Sequence, residues 1–189
     1  QVVPAENSKT EFKHYVGVQE DMSQLRSDYI DAAEAGTTRS TTVKLGTSYP
    51  TRILFVNGPP PQGRIHTKMP PDGTISANGF NASRVCGLNS PVKTRSITCN
   101  TKYNYFSDSE APSYIFENTV VYTQTPDGNV IFKSDQLLVQ GSTLNLYPLT
   151  SNMSHSGSGG VSVDFKSAET GEIEVSGSIS VTLPTTLSD

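Results

Sequence analysis

Apolar and polar positions alternate with a clear helical period only near the start of the chain. Between Ser8 and Ala35, apolar residues recur at spacings of three and four, which places them on one face of an amphipathic helix. Ser8 and Glu11 have the spacing of a capping box, and Gly36 stands where a helix commonly ends in a left-handed residue. The pattern predicts a long helix over residues 8–35, with an apolar stripe made of Phe12, Tyr15, Val18, Met22, Leu25, Tyr29 and Ala32.

This apolar stripe needs a partner, and the sequence allows two. The stripe packs on the protein's own sheet, or part of it forms a seam with a neighbouring subunit. We expect the helix to have a stalk-like start, so that the sheet holds the half from Met22 onward and leaves Phe12 and Tyr15 freer. The candidate positions for a core or a subunit seam are Phe12, Tyr15, Val18, Met22, Leu25 and Tyr29.

Beyond Gly36, the apolar positions follow a period of two or form short continuous runs, as strands do. The run over residues 53–56 suits a strand buried on both faces, whereas the polar, Gly-rich residues 151–160 are predicted to be a linker. One helix followed by many strands predicts an α+β, mainly β domain, in which a long N-terminal amphipathic helix packs on an antiparallel β-sandwich or curled sheet. The predicted strands are 39–45, 53–56, 65–67, 74–76, 83–86, 94–99, 113–125, 130–133, 137–139, 143–149, 161–166 and 172–183.

Length and composition narrow the class of protein. A chain of 189 residues fits a single domain, residues 1–189, with a helix at 8–35 and a β-rich part at 39–189. Charged residues make up only 17%, which is typical of an extracellular β-protein. The net charge of −4 disfavours nucleic acid as a partner.

No pattern of catalytic, cofactor-binding or metal-binding residues stands out. His14, His66 and His155 are far apart in sequence, and we expect them at the surface. A carbohydrate-stacking platform of Tyr103 and Tyr105 with Phe106 is one interpretation, but core or edge-strand aromatics explain these rings better. We therefore expect no enzyme activity, no cofactor and no metal. A surface glycan is the candidate ligand.

Two cysteines and two Asn-X-Ser triplets bear on the compartment. Cys86 and Cys99 lack a C-x-x-C pattern, and two thiols alone do not make a structural zinc site. In a secreted protein they predict a disulfide, with free buried thiols as the alternative. Asn81 and Asn152 match the N-glycosylation pattern. Both features favour an extracellular location.

Many short segments, spread over nearly the whole chain, carry a resemblance to a known family. They are residues 2–7, 22–26, 39–52, the prolines 59–61, 103–105, 111–112, 114, 117–122, 157–159, 161–164 and 183–188. Each segment is unspecific by itself. Their order and spacing together resemble an uncharacterised family of archaeal, mostly haloarchaeal, membrane-anchored surface proteins.

Members of this family look like pilin-type proteins, with a hydrophobic N-terminal helix just ahead of the point where this sequence begins. The resemblance implies a non-enzymatic, structural or adhesive ectodomain whose helix continues a membrane anchor preceding Gln1. It also implies an archaeal cell-surface location and a homo-oligomer or filament formed through the helix. A hydrophobic segment of about 20 residues immediately before Gln1 is the expected anchor.

Two features depart from the family. Haloarchaeal members are usually more acidic, and the cysteine pair is not typical of them, so a less saline archaeon or an archaeal virus is an alternative source. The alternative function is a glycan- or ligand-binding module, or a virion-surface spike that recognises surface glycans through its loops.

Overall fold

Residues 2–51, 53, 56–71, 73–78, 92–106, 111–167 and 180–187 are described by a computed structural model of the chain. Helix α1 spans Val2–Ala35, and strands follow it to the end of the described part. The strands are β1 (Thr38–Lys44), β2 (Gln62–Lys68), β3 (Ser76–Asn78), β4 (Ser96–Lys102), β5 (Ser113–Glu117), β6 (Val120–Gln124), β7 (Val130–Phe132), β8 (Val139–Gln140), β9 (Thr143–Leu144), β10 (Ser154–Gly157), β11 (Gly160–Lys166) and β12 (Ser180–Thr182).

Helix α1 is longer than predicted, and its start is different. It begins at Val2, so Ser8 lies inside the helix and the predicted capping box of Ser8 and Glu11 is wrong. The predicted end is confirmed. Gly36 has a φ of 63°, and the amide of Thr37 donates to the carbonyl of Ala32 at 3.2 Å. This bond is the six-to-one contact of a Schellman motif, which satisfies a free carbonyl of the last turn.

The main sheet has the strand order β10-β2-β4-β5-β6-β7, with each neighbouring pair antiparallel. Strands β1 and β11 pair separately, as do β3 with β12 and β8 with β9. Together with α1, these pairings confirm the predicted fold class, because one N-terminal helix packs on mostly antiparallel sheets and the protein is mainly β.

The core lies between the helix, the inner face of the main sheet and the β1–β11 pair. One register row of the main sheet places Ile65, Cys99 and Tyr114 side by side, and all three are buried in the same apolar cluster as the helix. Of the candidate seam positions, four belong to this core: Val18, Met22, Leu25 and Tyr29. Tyr15 is partly buried against the core, while Phe12 is 50% exposed.

A close crossing of backbones lies where β1 ends and β2 begins. A Cβ on Gly63 would collide with the carbonyl oxygen of Leu45 and would lie 2.9 Å from that of Asn100. A Cβ on Gly46 would collide with the carbonyl oxygen of Pro61. Only glycine fits at such distances, so these two residues allow the backbones to approach one another this closely.

Several strand predictions are confirmed. The strand predicted at 39–45 is β1, the strand at 161–166 is β11, and the segments 65–67 and 94–99 lie in or overlap β2 and β4. The hairpin from β6 to β7 is also present, with Gly128 at a φ of 90°. Of the predicted strand 172–183, residues 180–182 form β12 and residues 172–179 lie outside the described part, as do residues 83–86.

The predicted continuous strand over 113–125 is wrong. The chain reverses at Asn118 and Thr119, whose φ angles are 48° and 70°, and β5 pairs back onto β6. Residues on both sides of this turn are buried, so the apolar pattern runs through it without a break. The turn is held from the helix, because Nε of Arg26 donates to the carbonyl of Thr119 at 2.5 Å.

Three other segments also differ from their predictions. Ile53 and Val56, expected in a strand buried on both faces, are fully exposed and lie outside any strand. The linker predicted at 151–160 contains β10, which pairs with β2 at the edge of the main sheet. The strands predicted at 137–139 and 143–149 are observed only as the two-residue strands β8 and β9.

Candidate functional site beneath the N-terminal half of the helix

The buried face of α1 changes character halfway along the helix. From Val18 onward it is apolar, but in the first half the same face carries Asn7, Glu11 and His14. Asn7 and Glu11 have no exposed surface and His14 is 8% exposed. Buried polar groups need hydrogen-bond partners, so this half of the helix must be held by specific polar contacts instead of apolar packing.

Glu11 is the centre of this polar cluster. Its Oε1 accepts from the amide of Asn104 at 2.9 Å and from the hydroxyl of Tyr49. Its Oε2 accepts from the amide of Tyr105 at 2.7 Å and from that of Phe106. Three consecutive backbone N–H groups thus converge on one carboxylate, which is the arrangement of an anion-binding nest. The helix supplies the anion, and the loop that follows β4 closes around it.

Tyr49 reinforces this contact from the loop that follows β1. Its hydroxyl donates to Glu11 and accepts from Nδ2 of Asn104 at 2.9 Å. Burial, together with the hydrogen bond to Glu11, holds the pKa of Tyr49 well above its usual range. The hydroxyl therefore keeps its proton at any physiological pH and remains a donor to the carboxylate.

His14 forms a second hydrogen-bonded unit with Tyr103. Its Nε2 lies 3.1 Å from the carbonyl oxygen of Lys44, which can only accept, so Nε2 must carry the proton. In the neutral ring Nδ1 is then an acceptor, and it receives the hydroxyl proton of Tyr103 over 2.7 Å. Burial lowers the pKa of His14 and favours this neutral form. The expectation that His14 lies at the surface is wrong.

Asn7 extends the cluster toward the start of the helix. Its Nδ2 lies 3.4 Å from Oδ1 of Asn57, and Nδ2 of Asn57 donates to the carbonyl of Pro50 at 2.8 Å. Oδ1 of Asn7 is buried and has no hydrogen-bond partner in the described part of the chain. The loop between β1 and β2 is thereby tied to the first turns of α1.

Aromatic rings cover one side of the cluster. Phe106 lies 5.5 Å, centroid to centroid, from both Phe12 and Tyr15, and Tyr49 meets Tyr105 at the same separation edge to face. These spacings are those of favourable aromatic pairs. The three rings considered for glycan stacking are therefore engaged in contacts inside the protein, as the core interpretation expected.

The remaining predicted site residues lie apart from this cluster. Cys99 is a fully buried thiol facing the helix, and burial raises its pKa to about 12. Cys86 and Asn81 lie outside the described residues, so the disulfide and the first glycosylation site stay predictions. Asn152 is exposed, and its Oδ1 accepts from Oγ1 of Thr67 at 2.9 Å.

The other two histidines differ from each other. His155 is exposed as expected, whereas His66 is only partly exposed. Burial, with the nearby Arg64 and Lys68, lowers the pKa of His66. Neither histidine belongs to a metal-binding group, because the described residues contain no cluster of three or more histidine, cysteine or acidic side chains able to hold an ion.

A second buried carboxylate, that of Glu117, is also surrounded by hydrogen-bond donors, which come from β6 and from the last described residues of the chain. Glu117 is 4% exposed and accepts from the hydroxyl of Tyr122 at 2.9 Å. It also accepts from the amide and the hydroxyl of Thr186, at 2.8 and 2.9 Å. Nδ2 of the neighbouring Asn118 donates to the carbonyl of Pro184 at 3.0 Å. These contacts fasten the C-terminal segment to the turn between β5 and β6.

Chemically, the cluster beneath the helix serves to hold loops in place. The carboxylate of Glu11 and both ring nitrogens of His14 are occupied by partners from the protein itself. A cavity nearby, lined by Tyr15, Cys99 and Tyr103 among others, measures about 10 Å³, which is room for a single water molecule.

Sequence reasoning missed the polar cluster beneath the helix because it followed apolar residues only. The signal that would have found it is the spacing of Asn7, Glu11 and His14, which continues the stripe backward in steps of four and three.

Comparison with protein-family models, with curated proteins and with solved structures finds no match to this chain.

Proposed function

We propose that the protein is a non-enzymatic, pilin-like surface ectodomain with a structural or adhesive role, anchored in an archaeal membrane by a segment preceding Gln1. The proposal follows the resemblance of the sequence to archaeal surface proteins. Its partners are other copies of the same chain, which associate through α1 into a homo-oligomer or filament. No helix in the described part of the chain combines the length and the apolar character needed to cross a bilayer.

The observation that carries this proposal is the two-sided character of α1. One face is fixed to the domain from Asn7 to Ala32, while another exposes two large apolar side chains. Phe12 is 50% exposed and Val16 is 41% exposed, and they are four residues apart on the same side of the helix. A helix fixed along most of its length can present such a side chain pair in a defined orientation.

The polar cluster supports the same role. A helix that transmits force or packs in an assembly must not slide on its own domain. Glu11, His14 and Arg26 each bind backbone groups of a different part of the chain, at the loop after β4, at Lys44 and at Thr119. Hydrogen bonds of this kind fix the register of the helix, because each has a narrow range of distance and angle.

Assembly of the full-length protein tests the proposal. Phe12→Ser combined with Val16→Ser should abolish filaments or oligomers at the cell surface, measured by electron microscopy and chemical cross-linking. The matched control is Ile131→Ser with Phe132→Ser, which also removes two exposed apolar side chains, of 57% and 62% exposure, but from β7. Circular dichroism establishes that both variants fold.

Two results would contradict the proposal. The first is a full-length protein that is recovered from the soluble fraction and not from membranes. The second is an anchored protein whose association is unchanged by the helix double variant, or is lost equally in the control.

A further inference from the structure

The main sheet has an outer face, which points away from helix α1. On β2, Ile65 belongs to the core beneath the helix, and side chains along a strand alternate between its two faces. Arg64, His66 and Lys68 therefore lie on the outer face, where Arg64 and Lys68 are exposed and His66 is partly exposed. The two cations are separated by about 13 Å along the strand.

The neighbouring strand β4 adds a third cation to this face. The exposed Lys102 lies opposite Gln62, which is two residues before Arg64 on β2. Arg64, Lys68 and Lys102 are thus spread along about 20 Å of the sheet. Strands β2, β4 and β10, which the structure describes in full, contain no aspartate and no glutamate. The outer face of these three strands is therefore purely basic, in a chain whose net charge is −4.

The acidic residues are concentrated elsewhere in the molecule. Helix α1 holds seven of the 18 acidic residues of the chain. The helix packs on the inner face of the main sheet, so the sheet separates its carboxylates from the basic outer face. An anionic ligand that approaches the outer face meets the cations first.

The edge strand β10 orients Arg64. Its Nε and one terminal nitrogen donate to Oγ of Ser154, at 3.3 and 3.1 Å. A guanidinium has five N–H donors, so three remain for a ligand. Burial and the two cations on either side lower the pKa of His66. Its ring is therefore neutral at pH 7, and the charge of the face comes from Arg64, Lys68 and Lys102.

We propose that this outer face binds an acidic polysaccharide, whose sugars carry carboxylate or sulfate groups at regular intervals. Cations spaced along a strand match a polymer with repeating negative charges, and the guanidinium of Arg64 suits the paired oxygens of either group. Beside the cations lie Thr98 and Asn100 on β4 and Ser156 on β10, whose hydroxyl and amide groups can hydrogen-bond to sugar hydroxyls. This ligand extends the proposed adhesive role, but the site itself does not involve α1.

Two other anionic partners fit this face less well. Single-stranded nucleic acid binds largely by stacking its bases on aromatic rings, and β2, β4 and β10 contain no Phe, Tyr or Trp. Peripheral binding to a membrane combines cations with inserted apolar side chains, whereas the exposed side chains on this face are polar.

Surface plasmon resonance tests the binding, with polygalacturonate, dextran sulfate and unmodified dextran as the immobilised probes. The chain should bind the two acidic polymers at low salt and more weakly as the salt concentration rises, and it should not bind dextran. A preference between the acidic polymers identifies carboxylate or sulfate as the recognised group. Absence of binding to both would overturn the inference, and so would equal or tighter binding to a thymidine oligonucleotide or to phosphatidylglycerol vesicles.

Paired variants locate the binding on the sheet. Arg64→Gln combined with Lys68→Gln should weaken binding to the acidic polymer by about tenfold, because two of the three cations are gone. The matched control, Lys9→Gln with Lys13→Gln, makes the same change of net charge at two exposed positions of α1 and should change the affinity by less than about twofold. Arg64→Lys should bind more tightly than Arg64→Gln, because it keeps the charge.

Equal weakening in the two double variants would show that net charge alone is responsible and would refute the site. Equal affinities of Arg64→Lys and Arg64→Gln would refute the role of the charge at this position. Circular dichroism establishes that all variants fold.

These outcomes are separable from those of the proposed function. Phe12→Ser with Val16→Ser should bind the acidic polymer normally, because these side chains lie on the helix. If the full-length protein is anchored and assembles but binds no acidic polymer, the inference alone fails. If it is recovered from the soluble fraction and still binds the polymer, the anchored ectodomain is refuted and the polysaccharide site stands.

Discussion

Replacing Glu11 by glutamine removes the charge from the carboxyl group around which the loop after β4 folds. The substitution changes one atom and leaves the helix propensity almost unaffected, since Glu and Gln are similar helix formers. What changes is the hydrogen bonding. The carboxylate has four donors around it, namely the hydroxyl of Tyr49 and the amides of Asn104, Tyr105 and Phe106. An amide group offers one oxygen to accept them, and its NH2 is itself a donor.

The expected loss of stability in Glu11→Gln follows from the number of donors that are left without an acceptor. If the NH2 takes the place of Oε2, the amides of Tyr105 and Phe106 face another donor, on a side chain that has no exposed surface. Each buried N–H that loses its acceptor costs about 1–3 kcal/mol. We therefore expect Glu11→Gln to lower the free energy of unfolding by about 2–5 kcal/mol. Tyr49→Phe removes one donor and leaves the three amides bound, so its cost should be nearer 1 kcal/mol.

Urea denaturation at pH 7 measures these differences, with Glu20→Gln as the matched control. Glu20 lies on the same helix but is exposed, so its substitution should change the free energy of unfolding by less than about 0.5 kcal/mol. Amide hydrogen exchange should also become faster at residues 104–106 in Glu11→Gln and stay unchanged in Glu20→Gln. Equal stabilities of the two glutamine variants would show that the nest around Glu11 does not contribute to folding.

Three other outcomes are expected. Leu25→Ala should cost about 2–5 kcal/mol of stability and leave self-association unchanged, because Leu25 is a fully buried core residue; unchanged stability would refute its assignment to the core. Gly63→Ala should cost more than about 2 kcal/mol or prevent folding, whereas Gly159→Ala, with no atom within 4 Å of an added Cβ, should be tolerated. Because burial lowers the pKa of His14 below the value of about 6.5 in an unfolded chain, the unfolded state binds more protons below that pH. Stability should therefore be level above about pH 6.5 and fall as the pH drops toward the lowered pKa, and His14→Gln should flatten this fall in a pH series of urea titrations.

The sequence predicted those elements whose signal is local. The apolar stripe from Val18 to Ala32, the glycine end of the helix, and the alternating strands β1 and β11 all follow from neighbouring residues alone. The hairpin at Gly128 belongs to the same class. In each case the period of the side chains or the φ of one residue is enough to define the element.

The sequence failed where a local pattern continued through a change of structure. The reversal at Asn118 and Thr119 interrupts an apolar run without any glycine or proline, because the turn is held by Arg26 of the helix and by the amide of Leu137, which follows β7. The exposure of Ile53 and Val56 was also not predicted, since a continuous apolar run is typical of a buried strand.

The sequence by itself determined that one helix and a series of strands share an apolar core, because periodicity states which faces must be covered. Only the tertiary structure decided what lies under the first half of that helix. Glu11 and His14 are buried because Tyr103 and the amides of residues 104–106, about 90 positions further along the chain, supply their hydrogen bonds. The residues adjacent to a polar side chain in the sequence do not indicate such distant partners. Its burial becomes favourable only once the fold has brought donors and acceptors together.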